Sequence, residues 1–175
     1  MQSSDLTGYS ILIVEDEPLL RKQIAAYLER LGADVTGVES LQRARRVLED
    51  LSVDFALLDV NLPDGLGTDL LKDKSIPANT GVIIMTADGA VAGAVEAMRL
   101  GALEYLVKPF DPAQLPLVIN RARRAKQSER LGEHRRNDTA RSSAVFFFGS
   151  SLASLESQLQ KILSADRRLQ TPPRP

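Results

Sequence analysis

The chain predicts an α/β fold: a doubly wound sheet of five parallel strands with helices on both faces. Three observations carry this expectation. Short apolar runs alternate with stretches of helical periodicity from residue 11 to about residue 125. The intervals between the runs are long enough for the crossover helix that parallel pairing requires. The runs themselves are near-continuous rather than alternating, the pattern of strands covered on both faces.

The elements follow in order. Ile11–Val14 is the first strand. Pro18 sits just inside the next helix start, and Leu19, Leu20, Ile24, Tyr27, Leu28 and Leu31 recur at helical spacing up to Gly32. Ala33–Val38 reads as a short alternating strand, and Ser40 is a candidate cap for a helix presenting Leu41, Ala44, Val47, Leu48 and Leu51. Phe55-Ala56-Leu57-Leu58 ends in Asp59 and is bounded by Pro63 and Gly65. A short helix over Leu66–Lys74, the strand Val82–Met85, a helix over Ala90–Leu100, the strand Tyr105–Val107 and a last helix opening near Pro112 complete five β-then-α units. The first, third and fourth strands read as central. The second, carrying Asp34, Thr36 and Gly37, reads as an edge, so the expected order is the flavodoxin-like 2-1-3-4-5. The last helix runs long, but its apolar seam thins to alanines beyond Ile119, before Gly132, and gives only a weak heptad signal for a dimer helix.

Composition removes several classes of function. The chain has no Cys, which excludes disulfides, thiolate metal sites and Cys nucleophiles. Its single His, His134, leaves no His-rich metal cluster and no Ser-His-Asp triad in the folded region. No apolar run approaches a membrane span and the first residues lack a signal-peptide pattern, so a cytoplasmic location is expected. The net charge of -1 is unevenly spread: residues 1–114 carry 10 basic against 18 acidic side chains, residues 115–145 carry 8 against 3. Arg121, Arg123, Arg124, Arg135, Arg136 and Arg141 could mark a nucleic-acid surface, but no aromatics interleave with them and no helix-turn-helix pattern follows. They read as a solvated helix face and linker, without direct DNA binding. Glu133–Ser143 is polar, and beyond it Phe146-Phe147-Phe148 leads into an amphipathic stretch with Leu152, Leu155, Leu159, Ile162 and Leu163.

The chemistry lies at the strand ends. Glu15-Asp16 closes the first strand, Asp59 the third, Thr86 the fourth, and Lys108-Pro109 follows the fifth. Ligands of open α/β sheets bind at those carboxyl ends. Paired acids there suit a hard divalent cation such as Mg²⁺, with Asp16 and Asp59 as direct ligands, Glu15 direct or through water, and the Asn61 backbone carbonyl as a neutral ligand. Lys108 adds a point charge suited to a phosphoryl oxygen. Taken singly, each has an ordinary explanation: acids favour a helix start, a lone lysine is a surface residue, a threonine caps a turn. Their placement at successive strand ends is what argues for phosphoryl chemistry. Pro109 biases Lys108 away from helical geometry, and its peptide is a candidate for cis.

With these residues in place, residues of about 10–125 resemble the receiver domain of bacterial two-component response regulators. The likeness runs through Ile11-Leu12-Ile13-Val14-Glu15-Asp16-Glu17-Pro18, Leu57-Leu58-Asp59-Val60-Asn61-Leu62-Pro63-Asp64-Gly65, Ile84-Met85-Thr86-Ala87 and Gly101-Ala102-Leu103-Glu104-Tyr105-Leu106-Val107-Lys108-Pro109-Phe110. The resemblance implies that Asp59 accepts a phosphoryl group from the phosphohistidine of a sensor histidine kinase. It implies Mg²⁺ on Glu15 and Asp16, Lys108 paired with the phosphoryl group, and a coupled switch of Thr86 and Tyr105. It implies a homodimer through the face of the fourth helix, fifth strand and last helix, or through the extended last helix. Asn61 and Asp88 are expected to flank the hydrolytic water. Phe148-Gly149-Ser150-Ser151 and Ile162-Leu163-Ser164-Ala165-Asp166 are similar to the entry of the AAA+ domain in sigma-54-dependent activators, yet no GxxxxGK[ST] loop exists in the chain, so no ATPase is expected. The expected division is a receiver domain over 8–125, a partly helical linker over 126–145 and an amphipathic segment over 146–175. Two rivals stand beside this reading: a haloacid-dehalogenase-like phosphatase, which needs an acid where Asn61 stands, and a degenerate receiver serving only dimerisation.

Overall fold

The computed structural model describes residues 5–87 and 91–136. Five strands, β1 (Ser10–Val14), β2 (Asp34–Val38), β3 (Phe55–Asp59), β4 (Gly81–Ala87) and β5 (Glu104–Lys108), pair in parallel in the order β2-β1-β3-β4-β5. The expected order is the observed one. Five helices connect or follow them: α1 (Pro18–Arg30), α2 (Leu41–Asp50), α3 (Asp69–Lys72), α4 (Val91–Arg99) and α5 (Leu115–Arg136), the last preceded by a 3₁₀ turn over Pro112–Gln114.

Strand periodicity of two divides the core. Leu12, Val14, Ala56, Leu58, Val82 and Ile84 face Leu41, Ala44 and Leu48 of α2, Leu70 of α3 and Ala97 of α4. Ile11, Ile13, Phe55, Leu57, Ile83, Met85 and Leu106 face Ile24 and Leu28 of α1 and Leu115, Val118, Ile119 and Ala122 of α5. Both faces of β3 are thereby covered, and each fully buried Leu or Ile contributes about 1.5–3 kcal/mol. The charged or small residues of β2 stand at the edge, where one side of the strand meets water.

Helix ends show how local signals act. α1 ends in a Schellman motif: Gly32, at φ 90, donates to Glu29 O, and Ala33 donates to Leu28 O. α4 ends the same way at Gly101, φ 103, with Ala102 donating to Ala97 O. α3 uses the motif without glycine, for Lys74 takes φ 57 while Ser75 donates to Leu70 O.

Several boundaries differ from expectation. The helix expected over Leu66–Lys74 is confined to Asp69–Lys72, because Asn61–Leu62 and Gly65–Leu66 pair as a two-residue antiparallel hairpin that takes up Leu66. The fourth strand, expected over Val82–Met85 with Thr86 at its end, runs from Gly81 to Ala87. α5 continues through Gly132 to Arg136, since one glycine costs a helix only about 1 kcal/mol. Ser40 caps α2 as expected, accepting from Arg43 N–H at 3.3 Å. Among the described residues no helix is long and apolar enough to cross a membrane. Asp88, the linker beyond Arg136 and the amphipathic segment at 146–175 lie outside the described residues.

Candidate functional site

Parallel register brings the expected residues to one level. Val14 pairs with Leu58, Asp59 with Met85, Thr86 with Val107 and Ala87 with Lys108. Glu15, one residue beyond Val14, comes level with Asp59. Lys108 then reaches across two strands: its Nζ donates to Asp59 Oδ2 at 2.7 Å and lies 2.6 Å from Glu15 Oε2. The angles of a hydrogen bond are met only toward Asp59, so Glu15 Oε2 is a buried oxygen held by charge alone. The second oxygen of each carboxylate is oriented by backbone, Glu15 Oε1 by Glu17 N–H at 3.3 Å and Asp59 Oδ1 by Asn61 N–H at 3.2 Å.

Burial makes these charges matter. Glu15 is 1% exposed and Asp59 6%, whereas Asp16 is exposed. Burial pushes the Glu15 carboxyl above its ordinary value; Lys108 opposes that shift and the nearby Asp59 charge reinforces it. Burial works against the Lys108 ammonium, but its contacts with Asp59 and Glu15 outweigh this and raise it above its ordinary value. The two shifts differ in cause: Glu15 resists ionising because it is buried, whereas Lys108 keeps its proton because two carboxylates surround it. One carboxylate oxygen from each of Glu15, Asp16 and Asp59 lies within 4.8 Å of the others, a grouping able to hold a metal ion. The donor set is all oxygen, which suits a hard cation, and Glu15 Oε2, buried and held only by its charge pair with Lys108, keeps a lone pair for such an ion.

The remaining expected residues fall around this cluster. Thr86 is buried in β4, its Oγ1 3.4 Å from Ala87 O. Tyr105 pairs with Ile84 and packs, half-buried, on the core layer shared with α2, α3 and α4. Thr86 lies two residues beyond Ile84 and so shares its face. The Lys108–Pro109 peptide is cis, as anticipated. Asn61 is exposed and stands in the hairpin beside Asp59.

Two residues that support the site were not singled out in the sequence. A Cβ on Gly67 would lie 2.0 Å from the carbonyl oxygen of Asp59, so only glycine lets the hairpin fold back onto the strand end. Asp64 accepts the N–H groups of Leu41 and Gln42, each at 2.9 Å, and thereby ties the Asp59 loop to the N-terminus of α2. Burial opposes ionisation of Asp64, but those two N–H groups hold its carboxyl below the usual range. The Pro63-Asp64-Gly65 string signals a turn; the distant helix that Asp64 caps leaves no local mark.

Comparison with known proteins agrees with this arrangement. Residues 11–120 match the family described as response regulator receiver domain. The chain is 36% identical over 113 residues to the regulatory protein AtoC of Escherichia coli (strain K12), covering 64% of this chain and 24% of AtoC. It is 34% identical over 118 residues to the DNA-binding transcriptional regulator NtrC of Azospirillum brasilense, covering 67% of this chain and 24% of NtrC. The crystal structure of full-length FixJ from B. japonicum superposes with a TM-score of 0.63 at 32% identity, over 71% of this chain and 62% of that one. The chain thus spans about a quarter of the length of those two regulators. On the matched residues and the fold together, the chain belongs to the response regulator receiver domain family.

Proposed function

We propose that this chain is a phosphoacceptor switch in which Asp59 takes a phosphoryl group from the phosphohistidine of a sensor histidine kinase. The observation that carries the reading is the Lys108 ammonium set between the buried carboxylates of Asp59 and Glu15 at the strand ends. A carboxylate oxygen of Asp59 attacks phosphorus as the bond from phosphorus to the imidazole nitrogen breaks. Lys108, already hydrogen-bonded to Asp59, stays with the transferred group and offsets its charge. Mg²⁺, held by Asp16, Asp59, the Asn61 carbonyl and Glu15 directly or through water, would neutralise charge on the transferring oxygens. Asn61 denies Asp59 a neighbouring general acid, which favours a lasting acyl phosphate over rapid turnover.

The added charge, about -1.5 to -2, draws the Thr86 hydroxyl toward the phosphoryl oxygens. The space Thr86 vacates lies on the face that Tyr105 shares, and the Tyr105 ring turns into it. This two-state change biases a homodimer contact through α4, β5 and α5 or through the extended α5. Residues 8–125 form the switching domain, 126–145 the connection, and 146–175 the beginning of an AAA+ output domain of the sigma-54-dependent kind. The tail's similarity to that entry segment supports this.

The test is labelling with a small phosphodonor and Mg²⁺. Wild type acquires an acid-stable, base-labile phosphoryl group that Asp59→Asn does not, and releases it slowly. Rapid multiple turnover would instead establish a phosphatase, and absence of label a purely structural module.

A further inference from the structure

Arg21 stands where a cation is unfavourable by helix electrostatics. It is the fourth residue of α1, in the first turn, where the helix dipole favours acids and disfavours cations by about 0.3–1 kcal/mol. Its position has a geometric use. Side chains on a helix lean toward its N-terminus, so Arg21 reaches back over the β1–α1 loop. There its Nη1 donates to the carbonyl of Glu15 at 2.5 Å and to that of Asp16 at 3.2 Å. Its aliphatic stem lies along β2 at Gly37, where an added Cβ would come within 3.2 Å of Cγ and 3.3 Å of Cδ. A glycine in an edge strand, otherwise a weak choice, makes room for this stem.

We propose that Arg21 is a positioning residue for the cation site, fixing the peptide planes that aim the Glu15 and Asp16 carboxylates; the proposal rests on the phosphoacceptor reading above. Two successive carbonyls bound to one rigid guanidinium cannot rotate independently, and these two residues supply two of the three clustered carboxylates. Pinning them costs loop entropy once, in the folded apoprotein, rather than at each binding event. Charge alone predicts the opposite outcome: a guanidinium beside the cluster repels a divalent cation, so its removal would strengthen binding. The two effects therefore differ in sign.

The experiment is Mg²⁺ titration by calorimetry on the full chain, with wild type, Arg21→Met and Arg21→Lys, alongside amide hydrogen exchange. Arg21→Met keeps the stem over Gly37 and removes the guanidinium. The expected result is about tenfold weaker Mg²⁺ binding, as for other groups that orient metal ligands. Arg21→Lys recovers part of the loss, and amides of residues 15–17 exchange faster in Arg21→Met while those of β3 and β4 do not. Unchanged or tighter Mg²⁺ binding in a folded Arg21→Met, with wild type binding normally, overturns the proposal alone. Absence of Mg²⁺ binding by wild type overturns both the proposal and the phosphoacceptor reading. Should Arg21→Met fail to fold, Arg21→Lys decides by the same signs, with a smaller loss expected.

Discussion

The two ends of the sheet use polar groups for different purposes. At the amino ends of the strands each polar contact closes a structural gap. Ser10 N–H donates to Asp54 Oδ2 at 3.0 Å, Thr80 Oγ1 to Val53 O at 2.8 Å and Lys126 Nζ to Asp54 O at 3.2 Å. Lys126 also lies 5.3 Å from the Phe55 ring, which in turn packs against Tyr9, itself 3.4 Å from the Arg123 guanidinium. Those contacts seat α5 beneath the sheet. At the carboxyl ends three carboxylates cluster, two of them on one ammonium, and one buried oxygen lacks a hydrogen bond. The first end is balanced and stabilises; the second carries surplus negative charge that folding alone does not require. That surplus is what singles out the carboxyl ends as the candidate site.

The largest effect is expected from the balanced end. Phe55→Ala removes a ring that is 1% exposed and sits between Tyr9 and Lys126, and should cost about 3–5 kcal/mol in denaturant unfolding. Phosphoryl acceptance per folded molecule should persist, because the site lies at the other end of β3; its loss would break the division between the ends. Gly67→Ala should cost about 1–3 kcal/mol by overpacking against the Asp59 carbonyl. Unlike Phe55→Ala, it should also slow phosphoryl acceptance in the folded fraction, measured as the rate of label incorporation.

Surplus charge predicts a stabilising substitution at the other end. Burial raises the Glu15 carboxyl above its ordinary 4.5, so the folded state binds that proton more tightly than the unfolded chain. The ionised form therefore costs stability, and the cost disappears as pH falls through the raised value toward 4.5. Glu15→Gln should melt a few degrees higher than wild type at pH 7 without Mg²⁺, with the gap closing in acid and Mg²⁺ affinity reduced. Lys108 behaves oppositely: its stabilising contribution holds below its ordinary 10.5 and fades as pH rises through its higher folded value. The smallest effect belongs to Ser40→Ala, about 0.5 kcal/mol by thermal melting. Its bond to Arg43 N–H is long at 3.3 Å, and Asp64 already satisfies the two preceding N–H groups.

Much of the site was legible because parallel strands convert sequence order into spatial order. Once Ile11–Val14, Phe55–Leu58, Val82–Met85 and Tyr105–Val107 are read as strands, Glu15, Asp59, Thr86 and Lys108 must converge at their carboxyl ends. Gly32 and Gly101 likewise announce helix ends through a conformation that other residues avoid. Lys74 does the same work with φ 57 and no glycine to announce it, so the end of α3 was read two residues late. Gly67 carries no signal in the sequence, since its close approach to Asp59 depends on a hairpin of only two residues per strand. Arg21 leaves no mark in the sequence because its partners are backbone carbonyls, which carry no sequence identity.

The central claim is that the surplus charge at the carboxyl ends serves metal-assisted phosphorylation of Asp59. Intact-mass measurement after incubation with phosphoramidate, with Mg²⁺ or with EDTA, followed by location of the modified residue, tests it directly. The account predicts a single phosphoryl addition per chain with Mg²⁺, located at Asp59, and none with EDTA or in Asp59→Asn. Addition at another residue, or full addition in EDTA, would contradict it.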